Sequence, residues 1–353
     1  MKRIPGRSAE EIEDDSILLR AYGHDTDILI DRNREAQSHA LLAEQGLAPP
    51  LLARFNNGLM YKFIRGRVCT PQDLQQEKVW RGVSRRLAEF HRVTIPDDYQ
   101  SKTQAHGSDT KRSINNGIIN GFKHSGKKPT PNVWTTMQKW INVLPIETDA
   151  ERNRQDQLQH EFDFSVEQFN HKCAFRSGHG MVFGHCDLLS ANIIILPSKR
   201  PTNGSNSQQP ENVRFIDYEY ATACPSAFDI ANHFAEWAGY DCDYTNLPSR
   251  KVRSAFLEEY LRALLVLPPN VDVGENQIQA LNSQVDDFRG IPGLYWGIWA
   301  LIQGTISEID FDYASYAEIR LDEYFAWRRE QDGSRKRGGQ LMPLREKYWD
   351  RAC

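Results

Sequence analysis

Apolar and polar positions along the chain predict two different regions. Near the start, Ser16 to Tyr22 (SILLRAY) and Ile28 to Ile30 read as two short strands around the turn Gly23-His24-Asp25. Arg34 to Gln45 reads as a helix stopped by Gly46, a glycine suited to the left-handed position past a helix end. Leu51 to Phe55 and Leu59 to Ile64 form a hairpin turned by Asn56-Asn57-Gly58. These elements make a small mixed lobe ending near Gly66.

From Pro71 the period lengthens to that of helices. Val79 to His91 is amphipathic, 96–131 reads as loop with weak helix, and Val133 to Val143 and Glu161 to Phe175 are further helices. A compact strand region follows, Met181 to Leu196 and Val213 to Tyr220. Its strands are joined by the polar segment 197–212 (PSKRPTNGSNSQQPEN), whose composition supports no packed core. Helices and short loops alternate from Phe228 to about Arg329. The expectation is an α+β chain with a small lobe over 1–66 and a larger, mainly helical lobe over 67–353.

Composition narrows the function. With 353 residues, 40% apolar and 25% charged, the chain has the profile of a globular protein. A net charge of -4 gives no basic footprint for nucleic acid. The longest strongly apolar run, Leu294 to Ile302, is too short to span a bilayer, so no stable membrane insertion is expected. Six cysteines (69, 173, 186, 224, 242 and 353) are scattered without a C-x-x-C pair, which fits reduced thiols in the cytoplasm.

Three blocks carry chemistry. Val182-Phe183-Gly184-His185-Cys186-Asp187, followed by Asn192, has the spacing H-x-D-x-x-x-x-N. Phosphoryl transfer needs an aspartate to orient a hydroxyl and accept its proton, with an amide oxygen nearby for a metal ion, and Asp187 and Asn192 suit these roles. The strand Val213 to Tyr220 ends in Asp217 and Glu219, two carboxylates at i and i+2 that repel each other unless a cation such as Mg2+ joins them. In Phe228 to Trp237, Asp229 is expected to cap the following helix, and Glu236, read alone, fits a solvated helix position. Trp296, Trp299 and Gln303 share a helical face that fits a core as well as a cation pocket.

The blocks VFGHCDLLSANIIIL, FIDYEYA and FDIANHFAEWAG, in that order, resemble the choline/ethanolamine kinase family, from about Ile17 to Phe325. The resemblance implies a protein-kinase-like two-lobe fold and the use of ATP and Mg2+. It also implies Asp187 as catalytic base with Asn192 beside it, Asn192 and Asp217 at the metal, Glu236 at the substrate ammonium, and Trp296, Trp299 and Tyr316 as aromatic walls. In the small lobe it implies Arg20 at the ATP phosphates, paired with Glu35, and a hinge over Leu59 to Arg65 whose backbone at Phe63 and Ile64 meets adenine. HFAEWAGYDCDYTNLPSR and RFNNGLMYKFIRG look closer to the ethanolamine branch. The implied reaction is therefore phosphorylation of ethanolamine, the first step of the CDP-ethanolamine route to phosphatidylethanolamine, with choline as alternative substrate. A homodimer is left open.

One departure bears on activity. The family's Gly-x-Thr-Asn-like turn over the phosphates would lie before Met1-Lys2-Arg3, so the small lobe is expected to be incomplete, the strand Ser16 to Tyr22 to be an uncovered, self-associating edge, and turnover to be weak. A non-catalytic, pseudokinase-like binding protein is the reading of a different class. An aminoglycoside-type kinase shares Asp187, Asn192 and Asp217 but is not expected to carry the aromatic set.

Overall fold

A computed structural model of the chain describes residues 6–23, 25–95, 131–172, 181–197 and 209–352. Most of the loop expected over 96–131, and 198–208 of the polar segment, lie outside the described residues.

Ser8 opens α1 (Ala9–Asp15) with a reciprocal cap: its hydroxyl accepts the Glu11 N–H, and the Glu11 carboxylate accepts the Ser8 N–H. The S-x-x-E spacing, rather than any apolar period, signals this helix. β1 (Ile17–Ala21) follows as an alternating strand, with Ile17 and Leu19 exposed and Leu18 and Arg20 turned to the other face. Ile28 to Ile30 is not a strand. Asp25 takes a left-handed conformation (φ 54°), a single 3-10 turn runs over Thr26–Ile28, and Leu29 and Ile30 enter the core instead. Their apolar character reflects burial at a turn, which periodicity cannot separate from a short strand.

Asp31 caps α2 (Arg32–Glu44) through the N–H groups of Asn33 and Arg34, and Gly46 lies past its end at φ 69°. β2 (Leu51–Phe55) and β3 (Gly58–Lys62) complete an antiparallel sheet in the order β1-β3-β2, in which Arg20 faces Leu59. Gly58 is required there, because a Cβ would lie 2.3 Å from the Arg20 carbonyl oxygen.

After Gly66 the chain leaves this sheet. β4 (Arg67–Val68) pairs instead with β6 (Ile193–Ile195), which pairs in turn with β7 (Val213–Phe215); β5 (Met181–Gly184) pairs with β8 (Thr222–Pro225). Around these short ribbons lie α3 (Pro71–Leu74), α4 (Glu77–His91), α5 (Val133–Asn142), α6 (Asp149–Lys172), α7 (Ser226–Ala235), α8 (Arg250–Leu264), α9 (Glu275–Phe288), α10 (Ile291–Ile306), α11 (Tyr313–Gln331), α12 (Ser334–Arg337) and α13 (Leu344–Trp349).

Helical spacing builds the core. Val79, Val83, Leu87 and Phe90 line the buried face of α4, and removing each such side chain from water stabilises the fold by roughly 1.5–3 kcal/mol. α10 packs closely on α11 because Gly293 and Gly297, one turn apart, leave room: a Cβ on the first would lie 2.5 Å from the Arg320 carbonyl oxygen, and on the second 2.6 Å from Leu321 Cδ2. This approach sets the main chain at Arg320 directly against α10.

The last residues of the 197–212 segment are not free. The Leu196 N–H donates to Asn212 O, the Glu211 N–H donates to Lys78 O at 2.8 Å, and Glu211 pairs with Lys78 Nζ at 2.8 Å. A Cβ at Gly82 would lie 2.2 Å from Glu211 O, so α4 carries a glycine where this strand end docks.

Candidate active site

Asp187 lies on the loop between β5 and β6, and α7 holds that loop. Asp229 sits inside the first turn of α7 rather than at its cap, which Pro225 occupies. Its carboxylate accepts the Cys186 N–H at 2.7 Å, the His185 N–H at 2.9 Å and His91 Nε2–H at 2.9 Å. Burial works against its charge, but these donors hold its carboxyl below the usual range. Asn232 Nδ2 donates to Cys186 O at 3.0 Å, and His233 Nδ1–H donates to Leu188 O at 2.7 Å. Buried His185 donates from Nε2 to Ile216 O at 3.0 Å, tying the loop to the residue before Asp217.

Two non-glycine residues here take left-handed backbone, Cys186 (φ 60°) and Asp217 (φ 66°), a conformation that clusters at functional sites. The Cys186 thiol is wholly buried against that of Cys224, and burial pushes both thiols up. With Asp229 these sulfurs form a group within 4.8 Å, but the carboxylate already serves three donors.

Asn192 donates from Nδ2 to the Asp187 carbonyl at 2.8 Å and to Asp187 Oδ2 at 3.0 Å, turning its amide oxygen the other way. Burial raises the Asp187 carboxyl well above its usual range, and the neighbouring charges of Asp217, Glu236 and Glu219 add to the shift. Glu219 is pushed up to about 7 by burial and by Asp217, with Arg20 and Arg32 pulling against them. Asp187, Asn192, Asp217 and Glu219 thus present hard oxygen donors in a region of concentrated negative charge, a set that fits Mg2+ and not a soft metal.

The small lobe supplies the counter-charge. Arg20 lies 3.4 Å from Glu35, as the resemblance implies, but it also pairs with Asp217 and, at 2.5 Å, with Glu219. Arg32, not singled out from the sequence, joins Glu35 at 2.9 Å and Glu219 at 3.1 Å and stacks over Tyr22. Phe63 and Ile64 lie just past β3, and the Phe63 N–H donates to Ser16 O.

Glu236, whose charge also acts on Asp187, is only 6% exposed, so it is not a solvated helix position. Burial raises its carboxyl, and Arg320 opposes the shift from an ion pair at 3.1 Å. Its Oε1 faces Arg320 Nη1 in that ion pair and takes no other partner among the described residues, so it keeps acceptor capacity. Trp296 and Trp299 meet edge to face at 5.4 Å. Their indole N–H groups are anchored, Trp296 on Asn232 Oδ1 at 2.9 Å and Trp299 on Tyr220 Oη at 2.8 Å. Tyr316 is buried, with its ring 5.7 Å from the Arg320 guanidinium, and Tyr313 packs on Trp299 at 5.8 Å. Arg320, Tyr220 and Tyr313 are members that the sequence reading misses. Tyr220 is the second tyrosine of the FIDYEYA block, so its position was a usable signal; a buried arginine within an otherwise ordinary helix gives none.

Among the described residues no helix is long and apolar enough to cross a membrane. A family model described as Choline/ethanolamine kinase matches residues 4–325. Ethanolamine kinase of Drosophila melanogaster is 34% identical over 329 residues, covering 90% of this chain and 55% of its own length. Ethanolamine kinase 1 of Mus musculus is 32% identical, covering 90% of this chain and 78% of its own. The chain therefore spans about half of the first relative and over three quarters of the second. Among solved structures, an ethanolamine kinase of Plasmodium vivax is similar with a TM-score of 0.66 and 26% identity, over 87% of this chain and 75% of that one. The architecture is the protein-kinase-like fold of these enzymes.

Proposed function

The chain belongs to the choline/ethanolamine kinase family, and from that premise we propose that it transfers the γ-phosphoryl group of ATP to the hydroxyl of ethanolamine, in preference to choline, in the cytoplasm. One observation carries the reading. Asp187 stands in the field of two acidic sets, Asp217 with Glu219 and, at the end of α7, Glu236. The first suits a cation on phosphates, the second an ammonium.

Asp187 orients the substrate hydroxyl and accepts its proton as the new O–P bond forms and the bond to the β-phosphate bridging oxygen breaks, releasing ADP. Asn192 fixes the Asp187 rotamer. Asp217 and Asn192 would hold Mg2+, which when bound neutralises charge on the transferring phosphoryl group. Arg20, braced by Glu35, is the cation for the phosphates, and the backbone at Phe63 and Ile64 is the adenine edge. Glu236 with Trp296, Trp299 and Tyr316 receives the ammonium end. A primary ammonium offers three hydrogen-bond donors to a buried carboxylate, whereas choline offers none, which supports ethanolamine. We divide the chain at Gly66, supported by the change of sheet between β3 and β4. The buried, unpaired thiols Cys69, Cys186, Cys224 and Cys242 support a reducing compartment.

The test is ADP release measured with ethanolamine and with choline. A kcat/KM higher for ethanolamine, abolished by Asp187→Asn, is expected. Protein that binds Mg-ATP yet releases no ADP above its blank with either amino alcohol refutes the proposal.

A further inference from the structure

Glu236 ends a buried line of alternating charges. Arg320 Nη1 lies 3.1 Å from Glu236, and Arg320 Nε lies 3.3 Å from Glu323. Arg345 Nε lies 3.8 Å from Glu323, and Arg345 Nη1 lies 2.9 Å from Glu346. Glu346 closes the line on Arg289 at 2.8 Å. The six side chains come from the end of α7, from α11, from α13 and from the end of α9. Five of them are nearly inaccessible, and Arg289 is only slightly exposed. Arg345 and Glu346 lie beyond the family match, which ends at residue 325.

Such a line is costly to desolvate and is not needed to fill a core, since apolar side chains of similar size pack as well or better. What it does is set how much of one charge is available at the end of the row. Arg320 alone beside Glu236 would neutralise it and compete with an incoming ammonium. Glu323, on the same helix as Arg320, draws the guanidinium toward itself. Arg345 opposes Glu323 in the same way. Each member therefore acts on Glu236 with a sign that alternates along the row.

We propose that Glu323 is a positioning residue for the amino-alcohol site, which by sharing Arg320 keeps that guanidinium from cancelling the charge of Glu236 and leaves the group a net negative charge for the substrate cation, and that the C-terminal helix α13 tunes this through Arg345. The inference rests on Glu236 as the ammonium site. It predicts an effect that is Coulombic: it falls on the amino alcohol and not on ATP, and has the same direction for ethanolamine and choline. A change of pocket shape would separate the two substrates by size.

The experiment is steady-state kinetics of the full chain with both amino alcohols and with ATP, for wild type, Glu236→Gln, Glu323→Gln and Arg345→Met. Glu323→Gln is expected to raise KM for ethanolamine and for choline alike, by about tenfold, with kcat and KM for ATP within about twofold. Arg345→Met is expected to lower KM for the amino alcohols, by about two- to threefold, because Glu323 then holds Arg320 more fully. Loss of packing would raise KM in both variants, and that result overturns the inference. So does an unchanged KM in Glu323→Gln while Glu236→Gln raises it. If Glu236→Gln itself leaves KM unchanged, the reading of the ammonium site fails, and the inference with it. Should Glu323→Gln not fold, Glu323→Asp is measured in its place. It keeps the charge one methylene further from Arg320, so a smaller rise in KM is expected and no rise overturns the proposal.

Discussion

The Cys186 backbone N–H donates to Asp229 Oδ1 at 2.7 Å, so a carboxylate within a helix holds the left-handed residue that immediately precedes Asp187. The other oxygen of the same carboxylate receives the His185 N–H and His91 Nε2–H. An asparagine at 229 offers one acceptor oxygen and turns an NH2 group toward donors. Asp229→Asn is expected to lower stability by about 2–4 kcal/mol in chemical denaturation. It is also expected to lower kcat in the surviving folded protein. A variant with wild-type stability and kcat would show that the loop is held by something else.

Asp187→Asn keeps the volume and the Asn192 contact to the main chain, so its fold and ATP affinity are expected to survive. Its turnover is expected to fall by about 10^2- to 10^4-fold, the scale of lost general-base assistance. Retention of more than half of the activity would remove Asp187 from the role. For Asp217→Ala the readout is a metal titration: activity is expected to need far more Mg2+, and an unshifted titration curve contradicts the assignment.

Gly82→Ala forces a methyl group onto Glu211 O, which is backbone and cannot swing aside. A melting temperature several degrees below wild type is expected, corresponding to a cost of about 1–3 kcal/mol for overpacking. An unchanged melting temperature would mean that the strand end before β7 is not docked on α4.

By contrast, replacing 198–208 with a short Gly-Ser turn is expected to leave kcat and melting temperature near wild type. The pairing that closes the ribbon, Leu196 N–H to Asn212 O, lies outside the replaced residues. Extending the replacement through Glu211 and Asn212 is expected to lower stability, since those residues carry the contacts to Lys78. Equal behaviour of the two replacements would disprove this division of the segment.

His233 links acid stability to the loop that carries Asp187. Trp237 Nε1–H donates to His233 Nε2 at 3.2 Å, so that nitrogen must be unprotonated while Nδ1–H serves Leu188 O. Burial lowers its pKa from 6.5 to about 4. Between these values the unfolded chain binds a proton that the folded chain refuses. Stability is therefore complete above about pH 6.5 and falls with decreasing pH toward pH 4, by about 3 kcal/mol from this one group. Urea midpoints measured from pH 7.5 to 4.5 should fall, and the slope should flatten in His233→Gln. Parallel curves for the two proteins would exclude His233 as the source.

The parts of the site legible in the sequence are those fixed by local spacing. H-x-D-x-x-x-x-N forces Asp187 and Asn192 onto one loop, and the Asn192 amide reaches Asp187 across it. The Gly46 end of α2 is equally local, whereas its start, two residues before Arg34 and capped by Asp31, was not read. What could not be read is set by partners far along the chain. Glu236 alone reads as solvated, because its burial depends on Arg320, 84 positions later by their numbers (320 minus 236). Asp229 reads as a cap because a carboxylate near a helix start usually is one; its use by loop N–H groups appears only when β5 and α7 are packed together. α6 begins at Asp149 rather than near Glu161, since its first turns are polar and carry no apolar period.

The two thiols buried against each other behind Asp187 give the enzyme an internal clock. Neither Cys186 nor Cys224 can ionise or meet a reagent while β5 and β8 stay paired, because both are sealed and burial disfavours their thiolates. Alkylation at these positions must therefore wait for the ribbon to part. Its rate, followed by mass spectrometry, times the opening of the segment that carries Asp187. A nucleotide or amino alcohol that steadies the loop will register as slower labelling at residues it never touches.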